Sequence, residues 1–210
     1  KIYPYRVRFT PDYVSGGLSY DTFFGLRGQS IFVFSDYLGD HKIYLLTDLV
    51  NTIDQSNLQL YYFYNRKRIN WGISALHTKN YYIDSYDHLF SDRFYGFQGY
   101  VSRPFSKFFR AEAVASQFFI DRAYHDDNDP RPNRSTKVTT ATFSLVQDNI
   151  LWGITGPING RRSRIDLTGA FDIFNDKSIS FYSAEVDYRK YWHLRSLFSV
   201  AVRFSGGASW

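Results

Sequence analysis

Between Lys177 and Ser205 the chain alternates with a period of two. Ala184, Val186 and Tyr188 fall on one side of an extended backbone, and Ser183, Glu185, Asp187 and Arg189 on the other. Farther along, Phe198, Val200, Val202 and Phe204 take the apolar side, while Ser199, Ala201, Arg203 and Ser205 take the polar one. The pattern predicts two strands joined through the short YWHLRS link into an antiparallel hairpin. Its polar side carries full charges and its apolar side mixes aliphatic with aromatic residues. That combination is expected of a transmembrane β-barrel wall, with lipid on one face and water on the other.

The same alternation predicts about eleven strands over the chain. The first five cover Tyr13–Phe23, Gln29–Asp36, Lys42–Val50, Asn57–Asn65 and Trp71–Lys79. After a long NYYIDSYDHLFSDR connection come Phe94–Arg103, Phe108–Asp121, Thr136–Gln147 and Arg162–Ala170, and then the closing hairpin. Residues 1–12 read as a lead-in and residues 13–210 as barrel. None of the six prolines interrupts a strand in this scheme, as a central strand requires.

Connections after the second, fourth, sixth and tenth strands are short; those after the third, fifth, seventh and ninth are longer on average. The link after the eighth, about a dozen residues, is the exception. Outer-membrane barrels keep short turns on the periplasmic side. With the first strand rising from the periplasm, Asn80–Arg93 and Arg122–Ser135 lie outside. A single-chain antiparallel wall closes with an even count. An odd count means a miscount by one or part of a larger barrel, and the GGASW end just past a strand favours the second. The start at Lys1, with no initiator Met, reads as a processed or excised piece.

Aromatic residues make up 20% of the chain, with 18 Tyr and 20 Phe, and their positions add to this picture. Tyr81, Tyr82, Tyr124, Trp152, Tyr191 and Trp192 cluster at strand ends, where interfacial girdles are expected; the alternative is the core of a soluble β-protein. Charged residues are 21% and mean hydropathy is negative, which excludes a bundle of spanning helices. With no Cys there is no disulfide or thiolate metal site. The net charge of +5 comes from cations interleaved with acids, so a solvated lumen or rim is expected in place of a nucleic-acid partner.

The candidate lumen-facing set is Arg110, Glu112, Arg162, Arg164, Asp166, Glu185, Asp187, Arg189 and Arg203. In a wet interior these side chains can pair across strands. They stiffen the wall or also set which ions and segments the lumen tolerates.

Catalytic, metal and cofactor sites are not expected. None of the five histidines stands in HExxH spacing. Asp126, Asp127, Asn128 and Asp129 beside His125 look like a cation loop, but they lack its spaced glycine and terminal glutamate, and a solvated loop is expected. His77 shares a face with Trp71, Ile73 and Ala75 and reads as a rim histidine. A Ser–His lipid hydrolase is the enzymatic alternative, without a GxSxG elbow to support it. Gly153, Gly156 and Gly160 serve turn geometry and not a phosphate cradle.

The opening YRVRFTPDYV, the SDYLGDH turn and the stretch Asp148-Asn149…Trp152-Gly153…Thr155-Gly156-Pro157…Asn159-Gly160 resemble the bacterial surface antigen superfamily. This is the group of the BamA and TamA assembly barrels. In particular the chain is similar to envelope proteins that place such a barrel behind a TolB-like β-propeller. The resemblance implies a 16-stranded barrel, of which this chain supplies the first eleven strands. It places Trp210 at the start of the sixth external loop, whose Arg-Gly-aromatic motif folds into the lumen. That motif is absent here; Arg27-Gly28 falls in the first loop and inherits no role.

The resulting expectation is an all-β, antiparallel transmembrane barrel in a Gram-negative-type outer membrane. It acts without catalysis in protein insertion or translocation, with the bilayer, a translocated polypeptide and a propeller of the same chain as partners. A diffusion or gated pore, a barrel-embedded lipid hydrolase and a soluble ligand-binding barrel are the alternatives.

Overall fold

The computed structural model describes residues 5–22, 25–50, 55–126, 129–173, 180–195 and 198–210. Pro4, Phe23, Thr52, Asp127, Asn128, Lys177, Ser178 and Ser196 lie outside the described residues.

The strands are β1 (Phe9–Asp21), β2 (Gly25–Asp36), β3 (His41–Leu49), β4 (Asn57–Tyr64), β5 (Asn70–Ile83) and β6 (Leu89–Pro104). They continue as β7 (Phe109–Tyr124), β8 (Arg134–Asp148), β9 (Leu151–Trp152), β10 (Pro157–Phe171), β11 (Phe181–Arg195) and β12 (Phe198–Ser209). Together they make a 12-stranded sheet in chain order, with the two-residue β9 off the path against β10. The eleven expected strands are all present. The twelfth is this short β9, formed inside the connection after the eighth.

Strand ends differ most from expectation around residue 85. Asn80–Arg93 is not a long loop: β5 runs on to Ile83 and β6 begins at Leu89, leaving 84–88. The turn is built by Asp84, whose Oδ1 accepts the N–H groups of Tyr86 (2.9 Å) and His88 (3.0 Å). The Asp87 N–H closes on the Asp84 carbonyl at 3.1 Å, and Asp87 takes φ 62°. Likewise the Arg122–Ser135 connection shortens to 125–133. Arg27 lies inside β2, not in a loop.

The prolines also depart from expectation. Pro11 sits within β1, and Pro104 and Pro157 are the terminal residues of β6 and β10. Pro11 is tolerated because β1 is the first strand in the sheet order and its register with β2 shifts between Pro11 and Tyr13. This bulge has a second effect. Pro11 stands opposite Phe34 and Val14 opposite Phe32, so residues an odd number apart share one face.

By contacts the chain divides into residues 1–99 with 116–138, and residues 100–115 with 139–210. In the first unit Val14, Phe32, Leu45, Leu60 and Ala75 form one row across five strands, and Phe34, Ile43, Tyr62 and Ile73 the next row on the same face. The opposite face carries Gln29, Asp48 and Asn57 in one row, but also Tyr44 beside Tyr61 and Phe63 beside Lys42. In the second unit the apolar face holds Phe143, Leu167 and Ala184, then Leu145, Ile165, Val186 and Gly206. Ile165, Leu167, Val186 and Phe204 on this face are 43–67% exposed. Fully buried apolar side chains are few among the described residues, Val146 and Ala170 at 0%. In this unit the apolar face is left largely uncovered.

Gly160 shows why the first residues of β10 need a glycine. Its φ is +106°, and a Cβ there would stand 2.3 Å from the Asn149 carbonyl oxygen.

Candidate functional site

The charged face of the second unit is laid out by register. Arg162, Arg189 and Arg203 stand directly opposite one another across β10, β11 and β12. Arg164, Asp187 and Ser205 form the next row, and Asp166, Glu185 and Gly207 the one after. Like charges face each other in the first row, which is unfavourable unless an anion lies between. Asp187 supplies it: Arg189 donates to both its oxygens at 2.9 Å and Arg203 Nη2 to one at 2.7 Å. Arg162 has its own partner in Asp148, at 3.7 Å.

A second knot forms where β7 contributes Arg110 and Glu112. Arg110 Nε lies 2.6 Å from Glu112 Oε1, and Arg164 Nη1 lies 3.3 Å from Oε2. The Tyr100 hydroxyl stands 3.4 Å from the same carboxylate, which is buried at 8% exposure. Arg164 also holds Asp166 through Nε at 2.8 and 2.9 Å and donates to Ser144 Oγ at 3.1 Å; the Ser144 hydroxyl donates to Asp166. All nine predicted charged residues therefore meet on one face. Five of them, Arg164, Asp166, Glu185, Asp187 and Arg203, line an open depression of about 560 Å³ together with Ser183. Glu185 has no ion-pair partner among the described residues, so this surface offers a carboxylate beside guanidinium groups that are already paired.

The six predicted girdle aromatics do not share one face. Consecutive residues of a strand point oppositely, so Tyr191 sides with Arg189 and stands across from Gly160, while Trp192 sides with Lys190 and stands across from Val200. For the same reason Tyr81 and Tyr82 part: Tyr81 lies 5.7 Å from the His125 ring, whereas Tyr82 stacks on Phe90 at 5.4 Å. Tyr124 joins Phe90 at 6.0 Å and carries the Arg131 guanidinium over its ring at 4.4 Å. Trp152 lies in β9 and is 66% exposed.

Sequence reasoning missed a tighter aromatic group on the apolar face of the first unit. The His41 ring lies 5.0 Å from Tyr64 and 6.2 Å from Phe9, its Nδ1 is 2.7 Å from the Tyr62 hydroxyl, and Trp71 lies 5.6 Å from both Tyr62 and Tyr64. The signal was the YYFY run just before Arg66-Lys67-Arg68.

The acidic loop near His125 joins the Asp84 turn without forming a metal cluster among the described residues. Arg131 Nη2 lies 2.6 Å from both Asp84 and Asp129, and His88 stands 3.7 to 3.9 Å from Asp84, Asp126 and Asp129. The Arg131 hydrogen bond, working against burial, holds the Asp129 carboxyl down at about 2. At Asp84 burial pushes upward, but the His88 amide and Arg131 outweigh it and leave the carboxyl below its ordinary value. His77 Nδ1 is 2.9 Å from the Ser56 main-chain oxygen, not from a serine hydroxyl. A Ser–His hydrogen bond does occur between Ser91 and His125 (2.7 Å), but Ser91 is 1% exposed, which keeps its hydroxyl from any substrate.

No protein-family model matches the sequence, and no curated protein matches it. Among solved structures, the crystal structure of BamA from Haemophilus ducreyi lacking POTRA domains 1–3 is similar in fold, with a TM-score of 0.66 at 13% identity. The likeness covers 97% of this chain and 41% of that one, so the chain spans about two fifths of the structure it matches. The antiparallel all-β sheet built here thus has a BamA-like barrel fold.

Proposed function

We propose that the chain is part of a surface-antigen-type barrel in the outer membrane of a Gram-negative-type bacterium, acting without catalysis in protein insertion or translocation. The observation that carries this reading is the two-sided sheet: exposed Ile165, Leu167, Val186 and Phe204 on one face, paired charges on the other. A soluble protein would cover the first face; acyl chains do so in a barrel wall, leaving water on the charged side. The BamA-like fold supports the same reading. Completion to 16 strands and a TolB-like propeller of the same chain belong to the proposal.

The test uses the full-length protein in liposomes, with an unfolded outer-membrane β-barrel protein added as client. Faster client folding than in protein-free liposomes is expected. Ion conductance without acceleration would replace this reading by a pore, which the charged face also suits. Phospholipid hydrolysis lost on His77→Ala would replace it by an enzyme.

A further inference from the structure

At one end of the first unit three cations follow one another, Arg66, Lys67 and Arg68, in the 65–69 connection between β4 and β5. All three are exposed; the Arg66 side chain is 61% so, with its Asp40 partner at 3.7 Å. The Asn65 N–H donates to the Asp40 carbonyl at 2.7 Å, which fastens this turn to the neighbouring β2–β3 turn. Where the chain re-enters the sheet it reaches Trp71, 39% exposed, in edge-to-face contact with Tyr62 and in contact with Tyr64. A fixed basic turn thus stands next to amphipathic rings on the apolar face.

We propose that this end binds an anionic glycerophospholipid of the phosphatidylglycerol class. Its phosphate lies against Arg66, Lys67 and Arg68, and its glycerol and upper acyl region along Trp71, Tyr62 and Tyr64. Clustered cations attract a phosphate as point charges, and ring-bearing residues favour the depth of the headgroups. Each cation at an anionic membrane surface favours binding by about fivefold. The connection belongs to the short set assigned to the periplasmic side, where the leaflet is glycerophospholipid. The inference rests on the membrane reading proposed above.

The experiment uses the full-length protein with every tryptophan except Trp71 changed to Phe, reconstituted in phosphatidylcholine bilayers. Chain-brominated phosphatidylglycerol or chain-brominated phosphatidylcholine is added at equal mole fraction. Trp71 fluorescence is expected to report enrichment of the anionic lipid by roughly fivefold or more. The preference is lost in Arg66→Gln/Lys67→Gln/Arg68→Gln and kept in Arg66→Lys/Arg68→Lys, which preserves the charge. Equal quenching by the two lipids, or a preference undiminished in the triple variant, overturns the proposal. Trp71 quenched by aqueous acrylamide and by neither lipid overturns the membrane reading itself.

Discussion

Arg164 and Glu112 lie fifty-two residues apart in sequence and meet at 3.3 Å on the charged face. Because Glu112 is only 8% exposed, loss of its partner leaves a buried carboxylate with Arg110 as its remaining ion pair and Tyr100 at 3.4 Å. Arg164→Met is expected to lower stability by about 1–3 kcal/mol, less than a fully buried pair because the arginine is part-exposed. Adding Glu112→Gln should restore part of that loss. The urea midpoint of the reconstituted protein measures both.

Gly96 is a point where the sheet admits no side chain. A Cβ there would come 2.1 Å from the Gln117 carbonyl oxygen, whereas at Gly99 nothing lies within 4 Å. Gly96→Val should abolish folding or cost more than about 4 kcal/mol, among the largest single-residue effects. Gly99→Ala should be neutral or gain up to about 1 kcal/mol. Folding yield from denaturant distinguishes the two.

Val186 and Ser205 test which side meets lipid. Val186, 48% exposed, is on the apolar face; Ser205 stands across from Asp187 on the charged one. Val186→Arg should cost about 2–4 kcal/mol in a bilayer, and Ser205→Arg should be near neutral. Equal costs for the two substitutions would count against lipid on the Val186 side. Unfolding equilibria in lipid vesicles give the comparison.

Acid should loosen the tie between the 84–88 turn and the 125–133 connection. Asp84 and Asp129 have carboxyls held below their unfolded values, Asp129 at about 2. A depressed carboxyl stabilises the fold above its unfolded pKa, and that contribution fades as pH falls through the folded one. Hydrogen exchange at the Tyr86 and His88 amides should therefore be constant from neutral pH down to about 4, after correction for intrinsic rates, and lose protection toward pH 2. Arg131→Gln should move the loss of protection to higher pH.

The closing hairpin and Arg162–Asp166 were legible because polar and apolar residues alternate there at most positions, Ser163, Lys190 and Ala201 being exceptions. In the first unit the signal is weaker, since Tyr44, Tyr61 and Phe63 occupy the face that also carries Asp48 and Gln59. Strand ends around residue 85 were misplaced because the Asp84 turn is made by side-chain acceptance of N–H groups, which periodicity does not register. The girdle residues were chosen by nearness to strand ends, which does not sort Tyr191 from Trp192. Ser91 with His125, thirty-four residues apart, depends on pairing that a single sequence does not display.

The extra residue near Pro11 makes β1 two half-strands set out of step by one. Removing Asp12, the residue without a partner, would leave Phe9 opposite Asp36 and Val14 opposite Phe32 and make the β1–β2 ladder regular. Insertions and deletions in related chains should accordingly gather there, where one residue more or less leaves the pairing on both sides unchanged.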